Sequence, residues 1–255
     1  RLRAADAEIA RSEPGLRVQT RDLGLLVIIG AATVLAFLGT HGRAWMRRTF
    51  QVLVIVYVGF INGDLLAQSL MAGWVKSGAV PWRIAPGLVL LLAAALVVPW
   101  TTRKPLYCQH ICPHGAAQAL VHRISPRKWR IALPSGLDAG LRWLPAGLIG
   151  VVICVVMVGL PMDLADLEPF DAYLVRAAGV ATISIAIAGL IASAFVPMAY
   201  CHYGCPTGAV LEFLRRRGVK DRFGRREIVA GLLAGLAAVL AWKYDVVHAW
   251  ITFVG

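Results

Sequence analysis

Six long runs of apolar residues, separated by short polar segments, dominate the chain. A hydrocarbon core of ~30 Å requires about 20 helical residues to cross it, so runs of this length predict transmembrane helices. Only 16% of the 255 residues are charged and 58% are hydrophobic, whereas about a quarter of a typical soluble domain is charged. We therefore predict an all-α, polytopic integral membrane protein with six transmembrane helices, over residues 23–40, 50–71, 84–102, 142–161, 177–199 and 228–250.

Basic residues are distributed unevenly among the polar segments. Segments 103–142 and 200–227 each carry seven Lys or Arg, whereas segment 162–175 carries none and holds four acids. Because cytoplasmic loops are enriched in Lys and Arg, the two basic segments are predicted to lie in the cytoplasm and the acidic segment outside. Both the N-terminus and the C-terminus are then predicted on the extracytoplasmic side of the membrane. Cytoplasmic loops also explain the net charge of +12, and no nucleic-acid partner is predicted.

The first residues of the chain are polar and charged. They begin at Arg1, without Met and without the pattern of a signal peptide. We expect residues 1–22 to be an extracytoplasmic segment at the end of a preceding outer domain. Residues 23–255 are expected to form the six-helix membrane domain.

A ten-residue block occurs twice, and its two copies contain four of the five cysteines. Tyr107-Cys108-x-x-x-Cys112-Pro113-x-Gly115-Ala116 returns 93 residues later as Tyr200-Cys201-x-x-x-Cys205-Pro206-x-Gly208-Ala209. Each copy follows a span that runs from outside to inside, so the blocks at 107–116 and 200–209 are predicted at the cytoplasmic edge. This arrangement predicts a parallel internal repeat with a pseudo-two-fold axis along the membrane normal, which would bring the blocks face to face.

Four cysteines in matched elements indicate a bound inorganic centre. Residues four apart on a helical turn share a face, so each block offers two sulfurs. Sets of four thiolates suit iron–sulfur clusters and structural zinc. Disulfides are disfavoured in the reducing cytoplasm, and unligated buried cysteines would not explain why Tyr, Pro, Gly and Ala recur with them. We favour an iron–sulfur cluster over zinc, with these cofactor and metal ligands: Cys108, Cys112, Cys201 and Cys205.

Polar and aromatic residues within the blocks are candidates for hydrogen bonding around such a centre. Three histidines and the two tyrosines that open the blocks belong to this group, since partners of the ligands tune a metal site. The chain has no Ser/His/Asp set, phosphate loop or paired carboxylates, so no catalytic residue is predicted and enzymatic activity stays open. The candidates are His110, His114, His202, Tyr107 and Tyr200.

The two blocks resemble the C-x-x-x-C-P elements of NosR/NapH-type membrane electron-transfer proteins. Glu168-Pro169-Phe170, and Gly59-Phe60 followed by Gly63, are also similar to that family, and the resemblance covers roughly residues 21–226. It implies a 4Fe–4S cluster, with a 2Fe–2S cluster as the alternative, in a membrane core that passes electrons between redox partners on its two faces. It also implies FMN in an outer domain or a partner. The C-x-x-C-x-x-C ferredoxin modules common in the family are absent from this sequence.

Two functions remain open at this stage. The first is a transmembrane electron relay in the bacterial inner membrane, with an iron–sulfur cluster near the cytoplasmic face and with lipid and redox proteins as partners. The alternative is a structural or assembly subunit of a larger membrane complex, with a zinc-filled or empty four-cysteine site. An acid within the second span, Asp64, adds a weaker hypothesis of a proton or ion path.

Overall fold

The computed structural model describes residues 20–38, 44–77, 85–102, 104–159, 164–173, 178–216 and 225–242. All regular elements in these ranges are helical, as predicted. Most of the segment predicted over 1–22 lies outside the described residues. Before the first cysteine block lie α1 (Thr20–Leu38), α2 (Ala44–Val54), a π-helix π1 (Ile55–Asn62), α3 (Gln68–Ser77) and α4 (Pro86–Thr102). The first block forms a π-helical turn π2 (Tyr107–Ile111) and leads into α5 (Pro113–Ile124), which is followed by α6 (Ser135–Leu141), α7 (Leu144–Val158) and α8 (Val180–Phe195), with 3-10 turns at Arg127–Trp129, Leu164–Leu167 and Asp171–Tyr173. The second block contains α9 (Ala199–Tyr203) and leads into α10 (Pro206–Arg216), and α11 (Arg225–Trp242) is the last described helix.

Apolar helices lie at all six predicted positions, but they differ in length. Three helical stretches in the described part of the chain are long and apolar enough to cross a membrane, namely 20–37, 44–62 and 135–158. The other three are shorter: 86–100, 180–195 and 228–240. One cause of the shorter length is visible at the end of α8. Val196 adopts an extended conformation there, because it precedes Pro197 and a residue before proline disfavours the helical conformation.

The second predicted span is not one continuous helix. It was predicted over residues 50–71, but the helix ends at Asn62, Gly63 adopts a left-handed conformation (φ 76°), and helix resumes only at Gln68. Backbone N–H groups at such a break need partners inside the protein. Tyr107 Oη accepts a hydrogen bond from Leu66 N at 2.9 Å. Glu168 Oε2 accepts one from Gln68 N at 2.7 Å. Tertiary contacts therefore stabilise a break that hydrophobicity alone does not predict.

The acidic segment between α7 and α8 folds back into the helical bundle. Phe170 and Tyr173 are buried, and Glu168 is only 2% exposed. The Tyr173 ring packs at 5.6 Å from that of Phe60. The charge pattern predicts this segment and the cysteine blocks on opposite sides of a ~30 Å core, yet Tyr173 Oη lies 3.1 Å from Nδ1 of His114, which follows Cys112-Pro113. Burial of the Phe170 and Tyr173 side chains accounts for the inward position of this segment. The charge of the loop does not predict that position.

The short helix that follows each cysteine block packs against the helix that leads into the other block. Helix α5, after the first block, packs against α8, which leads into the second block; α10, after the second block, packs against α4, which leads into the first. Helix α7 packs against α11, and α1 against α4. One apolar core contains Leu66, Leu91, Cys112 and Cys205 together. Both blocks consequently belong to a single packed interior.

Candidate metal centre at the two cysteine blocks

The two cysteine blocks share a backbone hydrogen bond, although the first forms a π-helical turn and the second an α-helical one. In the first, Cys112 N donates to Tyr107 O at 2.7 Å; in the second, Cys205 N donates to Tyr200 O at 2.8 Å. A proline starts the next helix in each case, at Pro113 and Pro206, where its missing N–H costs no helical hydrogen bond. The second cysteine of each block thus sits at the beginning of a helix. The two copies therefore have this hydrogen bond and the proline at the helix start in common.

A glycine in each block lets two turns of backbone approach closely. A Cβ atom added at Gly115 would overlap the carbonyl oxygen of Cys108. One added at Gly208 would lie 3.1 Å from the carbonyl oxygen of Cys201. The glycine that recurs in the sequence is thus required for its lack of a side chain, more strictly in the first block than in the second.

The four cysteines of the blocks converge on one region of the protein. Cys112 and Cys205 are buried in the apolar core, which the half-buried Cys108 contacts. Cys108 and Cys201 line the same cavity of about 560 Å³. Burial raises the pKa of Cys201 and that of Cys205, and the nearby sulfurs of Cys108 and Cys112 in the first block raise both pKa values further. Each block therefore lies within electrostatic range of the other.

Hydrogen-bond donors already surround the sulfur atoms. Gly115 N donates to Cys112 Sγ at 3.4 Å, and Gly208 N donates to Cys205 Sγ at 3.2 Å. Gln118 Nε2 lies 3.3 Å from Cys201 Sγ. Donors of this kind stabilise negative charge on metal-bound thiolates. The environment of three of the four sulfurs consequently fits that of cluster ligands.

Burial keeps these thiols protonated when they have no positive partner. It raises the pKa of Cys108 to about 12 and that of Cys112 to about 11. Thiolates are the form that binds metal, so binding releases protons and the cation replaces the missing solvation. A set of buried thiols held by matched turns therefore fits a group that brings its own positive charge.

The arrangement does not match a site for one metal ion. Within the described ranges, no group of three or more His, Cys, Asp or Glu side chains is placed to hold a single ion. A tetrahedral zinc site needs four ligands at about 2.0–2.3 Å from one atom. In a 4Fe–4S cluster the four thiolates bind separate iron atoms, so the sulfurs stand farther apart.

The predicted histidine and tyrosine candidates occupy different environments. His114 is fully buried, its ring lies 5.2 Å from that of Tyr200, and burial lowers its pKa to about 4. His202 is exposed and its Nδ1 lies 3.2 Å from Met198 O, while His110 is partly buried. Tyr107 supports the broken second span. The hydrogen bonds given above for the sulfurs come from glycine amides and Gln118, and a role of the five candidates around a cluster stays a prediction.

Sequence reasoning missed several polar residues at the centre. Gln118 and Thr207 are buried beside the blocks, and Thr207 Oγ1 accepts from Gln68 Nε2 at 3.4 Å. Glu168 was noticed only as part of a motif. Aligning the two copies would have identified Gln118, because the equivalent position in the second copy is Leu211.

Asp64 lies just beyond the broken helix, not within a span. Its Oδ2 accepts a hydrogen bond from Asn62 Nδ2 at 3.1 Å. This local pairing is the simpler explanation of the acid, and it gives no support to an ion path.

A family comparison identifies both halves of the site. The 4Fe-4S binding domain matches the chain twice, over residues 84–132 and 178–226. Each match contains one cysteine block and the helices on either side of it. The match supports an iron–sulfur cluster and gives no support to a 2Fe–2S form or to FMN.

Three curated proteins are similar to the chain. The putative electron transport protein YccM of Escherichia coli is 27% identical over 157 residues, 57% of this chain and 42% of that protein. Protein NirI of Paracoccus denitrificans is 25% identical over 226 residues, 80% and 33% respectively. Regulatory protein NosR of Pseudomonas aeruginosa is 28% identical over 200 residues, 71% and 27%. No solved structure matches the chain.

These comparisons confirm the resemblance predicted from the cysteine blocks. The chain carries two matches to the 4Fe-4S binding domain and is similar to NosR/NapH-type membrane electron-transport proteins. It spans from 27% to 42% of the length of the three curated relatives.

Proposed function

We propose that this chain is a transmembrane electron relay of the bacterial inner membrane, and that Cys108, Cys112, Cys201 and Cys205 together bind one 4Fe–4S cluster. When bound, such a cluster accepts and releases one electron at a time. The observation that carries the proposal is the convergence of the two cysteine turns on one interior region, each matched by the 4Fe-4S binding domain.

The proposed architecture is a parallel repeat of two helical hairpins within six membrane-crossing helices. The reciprocal packing of α5 on α8 and of α10 on α4 supports it, because a two-fold axis would relate the two contacts to each other. The shorter apolar helices then also cross the bilayer. The packed pair α7 and α11 forms one side of the six-helix bundle. Exposed apolar side chains on α8, such as Ile183, Ile187 and Ile191, fit a surface in contact with lipid.

The chain's own residues would hold and insulate the cluster. The proline turns fix the cysteine backbones, the amides of Gly115 and Gly208 offset negative charge on sulfur, and the folded-back segment around Glu168 closes one side. The sulfurs of Cys108 and Cys201 line the cavity between the helices, so this is the side from which an electron would arrive or leave.

Redox partners on both faces complete the proposed relay. The basic segments favour a cytoplasmic position for the cavity side of the cluster. One cluster at one edge cannot by itself carry electrons over a ~30 Å core. A second redox group in another domain or subunit is therefore part of the proposal.

Metal analysis of the anaerobically purified protein tests this function. We expect about four iron and four acid-labile sulfide atoms per chain, with a visible absorption band that dithionite bleaches. Stoichiometric zinc without sulfide would instead support the structural or assembly subunit. Protein free of both metals, after anaerobic expression and reconstitution, would contradict the relay.

A further inference from the structure

Gln118 is a polar residue that breaks the symmetry of the repeat at a sulfur atom. It lies on α5, which follows the first block, and it is fully buried. Its Nε2 lies 3.3 Å from Sγ of Cys201 in the second block. The position equivalent to Gln118 in the second copy, 93 residues later, is Leu211, which is apolar and also buried.

The orientation of the Gln118 side-chain amide follows from its other partners. Tyr200 N donates to Gln118 Oε1 at 3.1 Å, and a backbone N–H can act only as a donor. The Ser193 hydroxyl lies 2.9 Å from the same oxygen and 2.7 Å from Gly189 O, and it has one proton to donate, so the Tyr200 N–H is the group that fixes the amide orientation. Because the oxygen faces these groups, the NH2 group must face the sulfur. In a flipped amide the Gln118 NH2 group would face the Tyr200 N–H, so that two donors would meet. The hydrogen bonds therefore fix the NH2 group toward Cys201 Sγ.

We infer that Gln118 is a positioning residue that raises the reduction potential of the cluster by donating a hydrogen bond to the Cys201 sulfur. The inference rests on the proposed function. Reduction places additional negative charge on the cluster and its sulfurs, so a donor at sulfur stabilises the reduced form more than the oxidised form. Leu211 cannot donate, so the donor acts on one half of an otherwise repeated site.

The sulfur that Gln118 contacts belongs to a cysteine on the cavity side of the site. Cys201 lines the cavity together with Cys108, whereas Cys112 and Cys205 are more deeply buried. Gln118 therefore modifies a sulfur on the side from which we propose that electrons arrive or leave. A donor on that side favours the presence of the electron next to the cavity.

Substitution of Gln118 by leucine, the residue at the equivalent position, tests the inference. The full chain is purified anaerobically with its cluster, and its midpoint potential is measured by redox titration monitored by electron paramagnetic resonance. We expect Q118L to retain iron and sulfide and to shift its one-electron reduction equilibrium by about tenfold toward the oxidised form, which corresponds to ~59 mV. Gln118→Glu should lower the potential further, because a carboxylate would face the sulfur.

Gln51→Leu is the matched control. Gln51 is also a buried glutamine, and its Oε1 faces Arg123 at 3.5 Å rather than a sulfur atom. Q51L should leave the potential unchanged. Gln118→Met, which has similar length and no donor, serves if Q118L does not accumulate.

The outcomes separate the inference from the proposed function. A wild-type protein that binds no iron overturns the proposed function itself. A wild-type cluster whose potential is the same in Q118L and Q118M overturns only the role of Gln118. Loss of iron from both variants, with Q51L intact, also overturns it, because Gln118 would then maintain the structure of the site instead of its potential.

Discussion

The two cysteine blocks have the same backbone hydrogen bond and the same proline at a helix start, but the side chains around them differ. Both close the same turn onto a tyrosine carbonyl and begin a helix at proline. The residue after that proline, however, is His114 in one block and Thr207 in the other. His114 pairs with Tyr173 Oη, and the Thr207 hydroxyl lies next to the Glu168 carboxylate. The same folded-back segment thus contacts both blocks through different chemistry.

This difference separates two kinds of constraint. Presenting two sulfurs from one turn requires a fixed backbone, and the same sequence elements meet that requirement twice. The polar groups around the sulfurs need only satisfy local hydrogen bonds, so they have diverged. The comparison predicts equal effects for changes to the cysteine ligands and unequal effects for changes to the residues that pack around them.

The largest effect is expected from the cysteines themselves. Replacing Cys112 or Cys205 by alanine should each remove nearly all iron from the purified protein, because a cluster that bridges both blocks loses a ligand in either case. Iron and sulfide analysis measures this. Cys154→Ala, in the apolar helix α7, is the control and should keep the full metal content. If C112A lost its iron and C205A did not, the blocks would not share one centre.

Alanine at the repeated glycines should distinguish the two turns. The added methyl overlaps the Cys108 carbonyl in Gly115→Ala but lies 3.1 Å from the Cys201 carbonyl in Gly208→Ala. Overpacking typically costs about 1–3 kcal/mol, and we expect the upper part of that range for G115A. Relief of glycine's backbone entropy, about 0.5–1 kcal/mol, should leave G208A within about 1 kcal/mol of the wild type. Thermal unfolding in detergent compares them; equal losses would contradict the difference in geometry.

The buried carboxyl of Glu168 should make stability depend on pH. Burial raises its pKa from 4.5 to about 7, so the folded protein favours the protonated form. Its contribution is therefore fully present below about pH 4.5 and is lost as pH rises through about 7, a change of up to about 3 kcal/mol. Thermal unfolding between pH 4.5 and 8 should show this decrease in the wild type.

Glu168→Gln should flatten that pH profile. The glutamine carbonyl oxygen can still accept the hydrogen bond from Gln68 N, so the packing of the segment is retained. Asp171→Asn, which changes a less buried acid in the same segment, is the control and should keep the wild-type slope. A slope that persists in E168Q would assign the pH dependence to another group.

The smallest effects are expected at the equivalent pair Gln109 and His202. Both side chains are exposed, although they lie inside the blocks and directly follow the first cysteines. Substitution of either by alanine should change stability by no more than about 0.5 kcal/mol and should leave iron content unchanged. A loss of iron in H202A alone would mean that His202 acts on the cluster.

Much of the fold was predictable because membranes impose simple rules on sequence. The apolar runs locate the helices at all six positions, and the duplicated blocks identify the cysteine turns and the 4Fe-4S binding element. The glycines recur with the cysteines in both blocks, and at each of them an added Cβ would meet the carbonyl oxygen of the block's first cysteine. Each of these signals is local, since it depends on residues within one turn or one helix.

The sequence by itself determined the helical class, the two cysteine turns and the resemblance to membrane electron-transfer proteins, because hydrophobicity and residue spacing act over short stretches of chain. Only the tertiary structure decided that the second span breaks at Gly63, that Glu168 and Tyr173 fold inward, and that Gln118 contacts Cys201. Each of these features pairs groups from distant parts of the chain: Gln68 and Glu168, for example, are 100 residues apart. Such pairs form because buried polar groups must find partners, and which partners they find depends on how the helices pack.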